Sequence, residues 1–177
     1  MQIYYINSEK FLNKYNIEFL QQYTDNLVFK SQKRLLQYSL GRYLVKSIGQ
    51  KHFNINNPEI EINNNKPRFK NSNIKFSITH CDKYIAAAFD KYECGLDIEK
   101  IKKRDLKTLS IYYKKEFNSL IDFYRFWTEY EAEIKLQTDI KDKYSIKFDN
   151  DYILTVVSEN SYFLKPPEIN EINNFEY

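Results

Sequence analysis

Glycine, proline and cysteine are scarce in this 177-residue chain, which contains 3 Gly, 4 Pro and 2 Cys. So little Gly and Pro argues against long linkers and collagen-like segments. Cys81 and Cys94 are too few for a disulfide framework, so we expect a cytoplasmic protein. No apolar run approaches the roughly 20 residues that span a bilayer, and the N-terminal residues lack the pattern of a signal peptide. The sequence therefore predicts no membrane partner.

An excess of one charge is also missing, because 27 basic and 24 acidic residues leave a net charge of +3. A dedicated nucleic-acid binder usually has a stronger imbalance or a clustered basic surface. We therefore expect no nucleic-acid partner. What the chain does have is apolar material, with 42% hydrophobic and 17% aromatic residues. That is enough for one core, or for two small halves that share one.

Hydrophobic periodicity predicts a mixture of strands and helices. The expected strands are residues 2–6, 59–62, 74–79, 84–89, 95–99, 144–148 and 152–157, with a short piece at 162–164. The expected helices are residues 9–23, 31–51, 106–121 and 123–137, the second beginning at the N-cap Ser31. The three strands between residues 74 and 99 would form an antiparallel meander. Helices followed by a small meander in each half predict a pseudo-duplicated α+β fold, with halves 1–103 and 104–177.

Residues 95–99 (Gly-Leu-Asp-Ile-Glu) carry two acidic side chains on one predicted strand. Because side chains alternate between the faces of a strand, Asp97 and Glu99 project together. Such a pair suits Mg²⁺, which proteins usually hold with a few carboxylates, substrate phosphates and water. The same pattern also fits a solvated edge strand, in which Lys100 and Lys102 are ion-pair partners.

Residues 127–135 could supply a third carboxylate. On a helix, Trp127, Glu131 and Lys135 lie on or near one face. The alternative is an ordinary ion pair between Glu131 and Lys135, which are four residues apart.

The histidines and cysteines give weaker signals. His80 ends an apolar strand, where a lone His more often has a structural role. Cys81 follows it directly, but neighbouring residues of a strand point to opposite faces, which disfavours a Cys–His nucleophile. The spacing of both His and both Cys residues matches no zinc finger.

Four segments, in this order along the chain, resemble motifs of the Sfp-type 4′-phosphopantetheinyl transferases. They are Lys66-Pro67, residues 76–80 (Phe-Ser-Ile-Thr-His), residues 95–99 and residues 127–135 (Trp-Thr-x-x-Glu-Ala-x-x-Lys). Each motif is weak alone, but four in sequence at compatible separations are specific. The resemblance covers about residues 33 to 135.

The resemblance implies a monomeric enzyme that moves the phosphopantetheine arm of coenzyme A onto a serine of an acyl or peptidyl carrier protein. The reaction releases 3′,5′-ADP, depends on Mg²⁺ and activates carrier proteins such as those of fatty acid biosynthesis. The implied metal ligands are Asp97, Glu99 and Glu131. The implied catalytic residues are Glu116, Glu131 and Lys135. The implied coenzyme A contacts are Arg42, Lys66, Thr79, His80, Lys100 and Lys135.

The chain also departs from the family pattern. Thr79 replaces the usual Ser and keeps its hydroxyl. Tyr130 stands where the family usually has a Lys before the metal-binding Glu, so one basic contact is missing there. The alternative function is therefore a coenzyme A-binding member of the same fold with weakened catalysis.

Overall fold

The computed structural model describes residues 1–161 and 166–173 of the chain. Its helices and strands are, in chain order, β1 (Gln2–Asn7), α1 (Ser8–Leu12), α2 (Gln32–Phe53), β2 (Ile60–Asn63), β3 (Lys66–Phe69), β4 (Lys75–Cys81), β5 (Tyr84–Asp90), β6 (Cys94–Lys100), α3 (Leu106–Tyr113), α4 (Leu120–Leu136), β7 (Asp142–Phe148), β8 (Tyr152–Ser158) and β9 (Glu168–Glu171). A 3₁₀ helix, Ile17–Tyr23, lies between α1 and α2. The predicted α+β class is confirmed. The piece expected at 162–164 lies outside the described residues.

Within the described residues, the strands form three sheets. The largest has the order β4-β5-β1-β9, in which only β1 and β9 run parallel. The others are the hairpin β2-β3 and the antiparallel sheet β6-β8-β7. Helix α2 packs against the largest sheet, and α4 packs across β6 and β8. The two larger sheets and these two helices therefore form the frame that carries the candidate site.

The meander predicted for residues 74–99 is wrong in its last step. β4 pairs with β5, but β6 pairs with β8 in the smaller sheet. This arrangement lets Leu96 and Ile98 pack against the small side chains Ala86 and Ala88 of β5, which allow the two sheets to approach closely. β6 therefore precedes the predicted boundary at residue 103 but pairs with a strand that follows it. The pseudo-duplication and the two halves stay predictions.

Capping residues explain where the helices begin and end. The helix predicted at 9–23 is interrupted, because Asn16 accepts a hydrogen bond from the Glu18 amide and starts the 3₁₀ helix. The helix predicted at 106–121 ends at Tyr113, since Lys114 adopts a left-handed conformation with φ of 51°. Ser31, the predicted N-cap of α2, is confirmed by its bond from the Arg34 amide.

Strand β3 is not among the strands predicted from the sequence, and a turn of two Asn residues joins it to β2. Asn64 and Asn65 have φ values of 49° and 61°. Two consecutive residues with positive φ fit the type I′ turn that closes a two-residue hairpin, and Asn tolerates this conformation well. In the part of the chain that the structure describes, no helix has both the length and the apolar character needed to cross a membrane.

Candidate active site

The site is built on β6, where Asp97 and Glu99 follow each other on one face. Asp97 is only 5% exposed, whereas Glu99 is half-buried. Helix α4 can lie against this strand because residue 95 is Gly. A Cβ atom there would stand 1.9 Å from the carbonyl oxygen of Ala132. The missing side chain thus brings α4 close enough for Lys135 to reach Asp97.

Lys135 contacts Asp97 rather than forming the ion pair with Glu131 that the helix spacing allowed. Its Nζ lies 2.7 Å from Asp97 Oδ1 and 3.0 Å from the carbonyl oxygen of Leu96. The hydroxyl of Thr79, on β4, donates to the same Oδ1 at 3.0 Å. Both partners of Asp97 therefore occupy a single carboxylate oxygen.

The other oxygen of Asp97 is unsatisfied. Among the residues that the structure describes, Asp97 Oδ2 is buried and has no hydrogen-bond partner. A buried acceptor without a partner is costly, and a bound ion is one of the ways in which proteins satisfy it. This oxygen is therefore a position at which a cation would be favourable.

Glu99 is destabilised as an anion. Burial is the main cause of the raised pKa of Glu99, and the negative charge of Asp97 raises this pKa further. Hydrogen bonds from Cys81 and Trp127 offset part of this effect. The Cys81 Sγ lies 3.7 Å from Glu99 Oε2. Burial also raises the pKa of Cys81 to about 11, so its thiol is protonated at neutral pH and acts as the donor.

These two carboxylates fit a Mg²⁺ ion, because Mg²⁺ commonly takes one or two carboxylates together with substrate phosphates. The unsatisfied oxygen of Asp97 and the raised pKa of Glu99 are both relieved by a cation. Glu131 lies half-buried on α4. Across residues 1–161 and 166–173, no three His, Cys, Asp or Glu side chains gather closely enough to hold a metal. Metal binding by Glu131 therefore stays a prediction.

A cavity of about 500 Å³ opens between α2 and β4. It is lined by Ser31, Lys33, Arg34, Gln37, Tyr38, Gly41, Arg42, Ile62, Pro67, Ile78 and His80. None of these residues is acidic, and four carry or can carry positive charge. The lining therefore suits an anionic ligand with an apolar part.

Two of the predicted coenzyme A contacts, Arg42 and His80, line this cavity. Arg42 is held by Asp25 at 2.8 Å, while the Tyr38 hydroxyl accepts from its guanidinium at 3.0 Å and 3.1 Å. Desolvation by the surrounding protein lowers the pKa of His80, and the charge of Lys135 lowers it further. His80 therefore lies close enough to Lys135 for their charges to interact. This links the cavity to the carboxylate pair.

Lys66 and Lys100 have partners of their own. The buried Lys66 ammonium bonds Glu93 at 2.8 Å, the carbonyl of Cys94 at 3.1 Å and that of Leu136 at 3.2 Å. Lys100 pairs with Asp82 at 3.2 Å. Their predicted contacts with coenzyme A stay predictions.

Glu116, the predicted base, is exposed in the connection between α3 and α4. Of the remaining predicted residues, Thr79 lies within the carboxylate site rather than on the cavity lining, because its hydroxyl bonds Asp97. The contact between Cys81 and Glu99 was not foreseen. The sequence contains one indication of this contact, because residues 79 and 81 on β4 have the same spacing as residues 97 and 99 on β6.

The chain resembles a known protein over part of its length. No family model matches the chain. A curated protein described as "4'-phosphopantetheinyl transferase gsp", from Aneurinibacillus migulanus, is 28% identical over 109 residues. This match covers 54% of the chain and 46% of that protein, so the chain spans about half the length of the relative. Over that part of its length, the chain is similar to a phosphopantetheinyl transferase.

Proposed function

We propose that this protein transfers the 4′-phosphopantetheine arm of coenzyme A to a serine of an acyl or peptidyl carrier protein, with Mg²⁺ and with release of 3′,5′-ADP. The observation that carries the proposal is the unsatisfied, buried Oδ2 of Asp97 beside Glu99, next to a cavity lined by basic residues. The similarity to the Aneurinibacillus migulanus transferase supports the same reaction.

In this reaction the serine oxygen bonds to the phosphorus that carries the pantetheine arm. The bond from that phosphorus to the bridging oxygen of the pyrophosphate breaks, and the nucleotide leaves as 3′,5′-ADP. Asp97 and Glu99 would hold Mg²⁺, with Glu131 as the predicted third ligand. When bound, Mg²⁺ neutralises charge on the pyrophosphate.

The residues of the chain supply positioning and charge. Lys33 and Arg34 are exposed at the cavity and can bind phosphate groups of the nucleotide. His80 can donate a hydrogen bond to phosphate at the cavity rim. Lys135, whose ammonium is held by Asp97, would stabilise the negative charge that develops on the leaving oxygen. Glu116 would accept the serine proton.

A second candidate function is coenzyme A binding with weakened transfer. Tyr130, where the family usually has Lys, is 46% exposed and lies beside the rings of Phe126 and Trp127. An aromatic ring there provides no cation for a phosphate group, which favours this alternative.

The test is to incubate the purified protein with Mg²⁺, coenzyme A and the carrier proteins of its host, and to measure intact carrier masses. We expect a gain of one phosphopantetheine, which is abolished by a chelator and lowered about 100-fold or more in Asp97→Asn. The matched control is Lys143→Ala, on the exposed surface. Coenzyme A binding without any mass gain would establish the second candidate. Neither binding nor transfer would overturn both.

A further inference from the structure

Strands β4 and β6 lie side by side although they belong to different sheets. Three hydrogen bonds cross between them: Leu96 N to Ser77 Oγ at 3.0 Å, Thr79 Oγ1 to Asp97 Oδ1 at 3.0 Å, and Cys81 Sγ to Glu99 Oε2 at 3.7 Å. The last two join residues that are 18 positions apart in both cases. One face of β4 therefore presents one neutral donor to each carboxylate of β6.

The equal spacing has a simple geometric basis. Alternate residues of a strand share a face, so residues 79 and 81 project together toward residues 97 and 99. A hydroxyl and a thiol fix the orientation of a carboxylate without cancelling its negative charge. They differ in this from Lys135, whose ammonium neutralises part of the charge of Asp97.

The donors also determine which oxygen remains available. Thr79 and Lys135 both bond Oδ1 of Asp97, which leaves Oδ2 as the oxygen without a partner. Carboxylates that ligate metals are commonly held in this way by hydrogen bonds from surrounding groups.

We propose that Thr79 and Cys81 are positioning residues, which orient Asp97 and Glu99 for a divalent cation. This inference rests on the proposed metal site. It gives Thr79 a role toward the metal ligand rather than toward coenzyme A, and it assigns a role to Cys81. Neither residue touches the reacting atoms.

The test measures metal binding directly, without turnover. Mn²⁺, which takes the same oxygen ligands as Mg²⁺, is titrated into the full chain with and without coenzyme A, and the free ion is followed by electron paramagnetic resonance. We expect Thr79→Val to weaken Mn²⁺ binding about 10-fold or more, and Cys81→Ala to weaken it by up to about 10-fold. Thr79→Ser and Cys81→Ser, which keep a donor, should restore binding.

The matched control is Ser77→Ala. Ser77 lies on the same strand and also bonds β6, but it contacts the backbone of Leu96 and no carboxylate. This variant should lose thermal stability while keeping the Mn²⁺ affinity of the wild type, so it separates positioning from packing.

Each result decides a separate question. If Thr79→Val and Cys81→Ala bind Mn²⁺ as tightly as the wild type, or if Ser77→Ala weakens binding equally, the positioning role is refuted. If the wild type binds no Mn²⁺ in either condition, both the metal site and this inference fall. If Mn²⁺ binding follows the expected order but no carrier protein is modified, the transferase proposal alone is wrong.

Discussion

Two clusters of charged side chains lie toward opposite ends of β6, and the acidic groups in them are compensated differently. Before the strand, Glu93 is bonded by Lys66 and Arg68. Burial alone would raise the pKa of Glu93, but these two hydrogen bonds outweigh it and lower the pKa. Toward the other end, Asp97 keeps one oxygen unsatisfied and burial raises the pKa of Glu99. A compensated cluster stabilises the fold, whereas an undercompensated one can bind a cation.

The packing of β6 against α4 depends on Gly95. Of the variants considered, Gly95→Ala should cause the largest loss in the free energy of unfolding. The added Cβ would meet the Ala132 carbonyl at 1.9 Å, and a backbone atom cannot move aside cheaply. We expect a loss of about 4 kcal/mol in the free energy of unfolding, measured by urea denaturation, because β6 and α4 must separate.

The control for that variant is Gly41→Ala on α2. A Cβ there would lie 3.4 Å from Ile78 Cγ2, which is ordinary contact. Ala in a helix interior should raise the free energy of unfolding by about 0.5–1 kcal/mol. Equal losses in both variants would show that the tight approach at Gly95 does not limit the packing.

Glu93→Gln should break the compensated cluster. Lys66 is nearly fully buried, and it would lose its charged partner. Removing one member of a buried ion pair typically costs about 3 kcal/mol or more. We expect that loss in the free energy of unfolding, with the transfer rate of the folded protein unchanged. A large loss of rate without a loss of stability would place Glu93 in the active site.

The two glutamates should also give opposite pH dependences. The carboxyl group of an unfolded Glu has a pKa of about 4.3. The pKa of Glu93 is lowered, so its contribution to the free energy of unfolding is present above that pH. The contribution is lost as the pH falls through the pKa of the folded state. The pKa of Glu99 is raised, so its contribution to the free energy of unfolding is present below about pH 4.3. That contribution is lost as the pH rises through the pKa of the folded state.

In metal-free buffer at pH 7, Glu99→Gln should therefore stabilise the fold, by about 0.5 kcal/mol after solvent screening. Urea denaturation from pH 7 down to well below the unfolded value of about 4.3 measures how the free energy of unfolding depends on pH for both glutamates. Addition of Mg²⁺ should reverse the order of wild type and Glu99→Gln, because only the wild type gains from the ion. A destabilised Glu99→Gln in metal-free buffer would contradict the comparison.

The sequence predicted the pair Asp97 and Glu99, because alternation along a strand places two such residues on one face. It also predicted α2, whose N-cap is local chemistry. It did not predict that β6 pairs with β8. That choice depends on how Leu96 and Ile98 pack against distant alanines of β5.

Residues that meet across sheets were equally hard to foresee. The helix spacing left open an ion pair between Lys135 and Glu131, whereas Lys135 bonds Asp97. Gly95 allows that contact because β6 and α4 approach each other closely there, and no local sequence pattern predicts this approach. Capping and face alternation are local and can be predicted, while the partner of a long side chain depends on the whole packing.

The smallest effect is expected for Lys143→Ala, which tests whether charge on α4 matters in general or only at the site. Lys143 on β7 pairs with Glu129 on α4, and the Lys143 side chain is 55% exposed. An exposed ion pair contributes about 0.2–1 kcal/mol, because water screens the attraction and two flexible side chains must be ordered. We expect a change in that range by urea denaturation, weaker still at high salt, with transfer and Mn²⁺ binding unchanged. A large loss of Mn²⁺ affinity would mean that the long-range charge of α4, rather than the local donors on β4, sets the cation site.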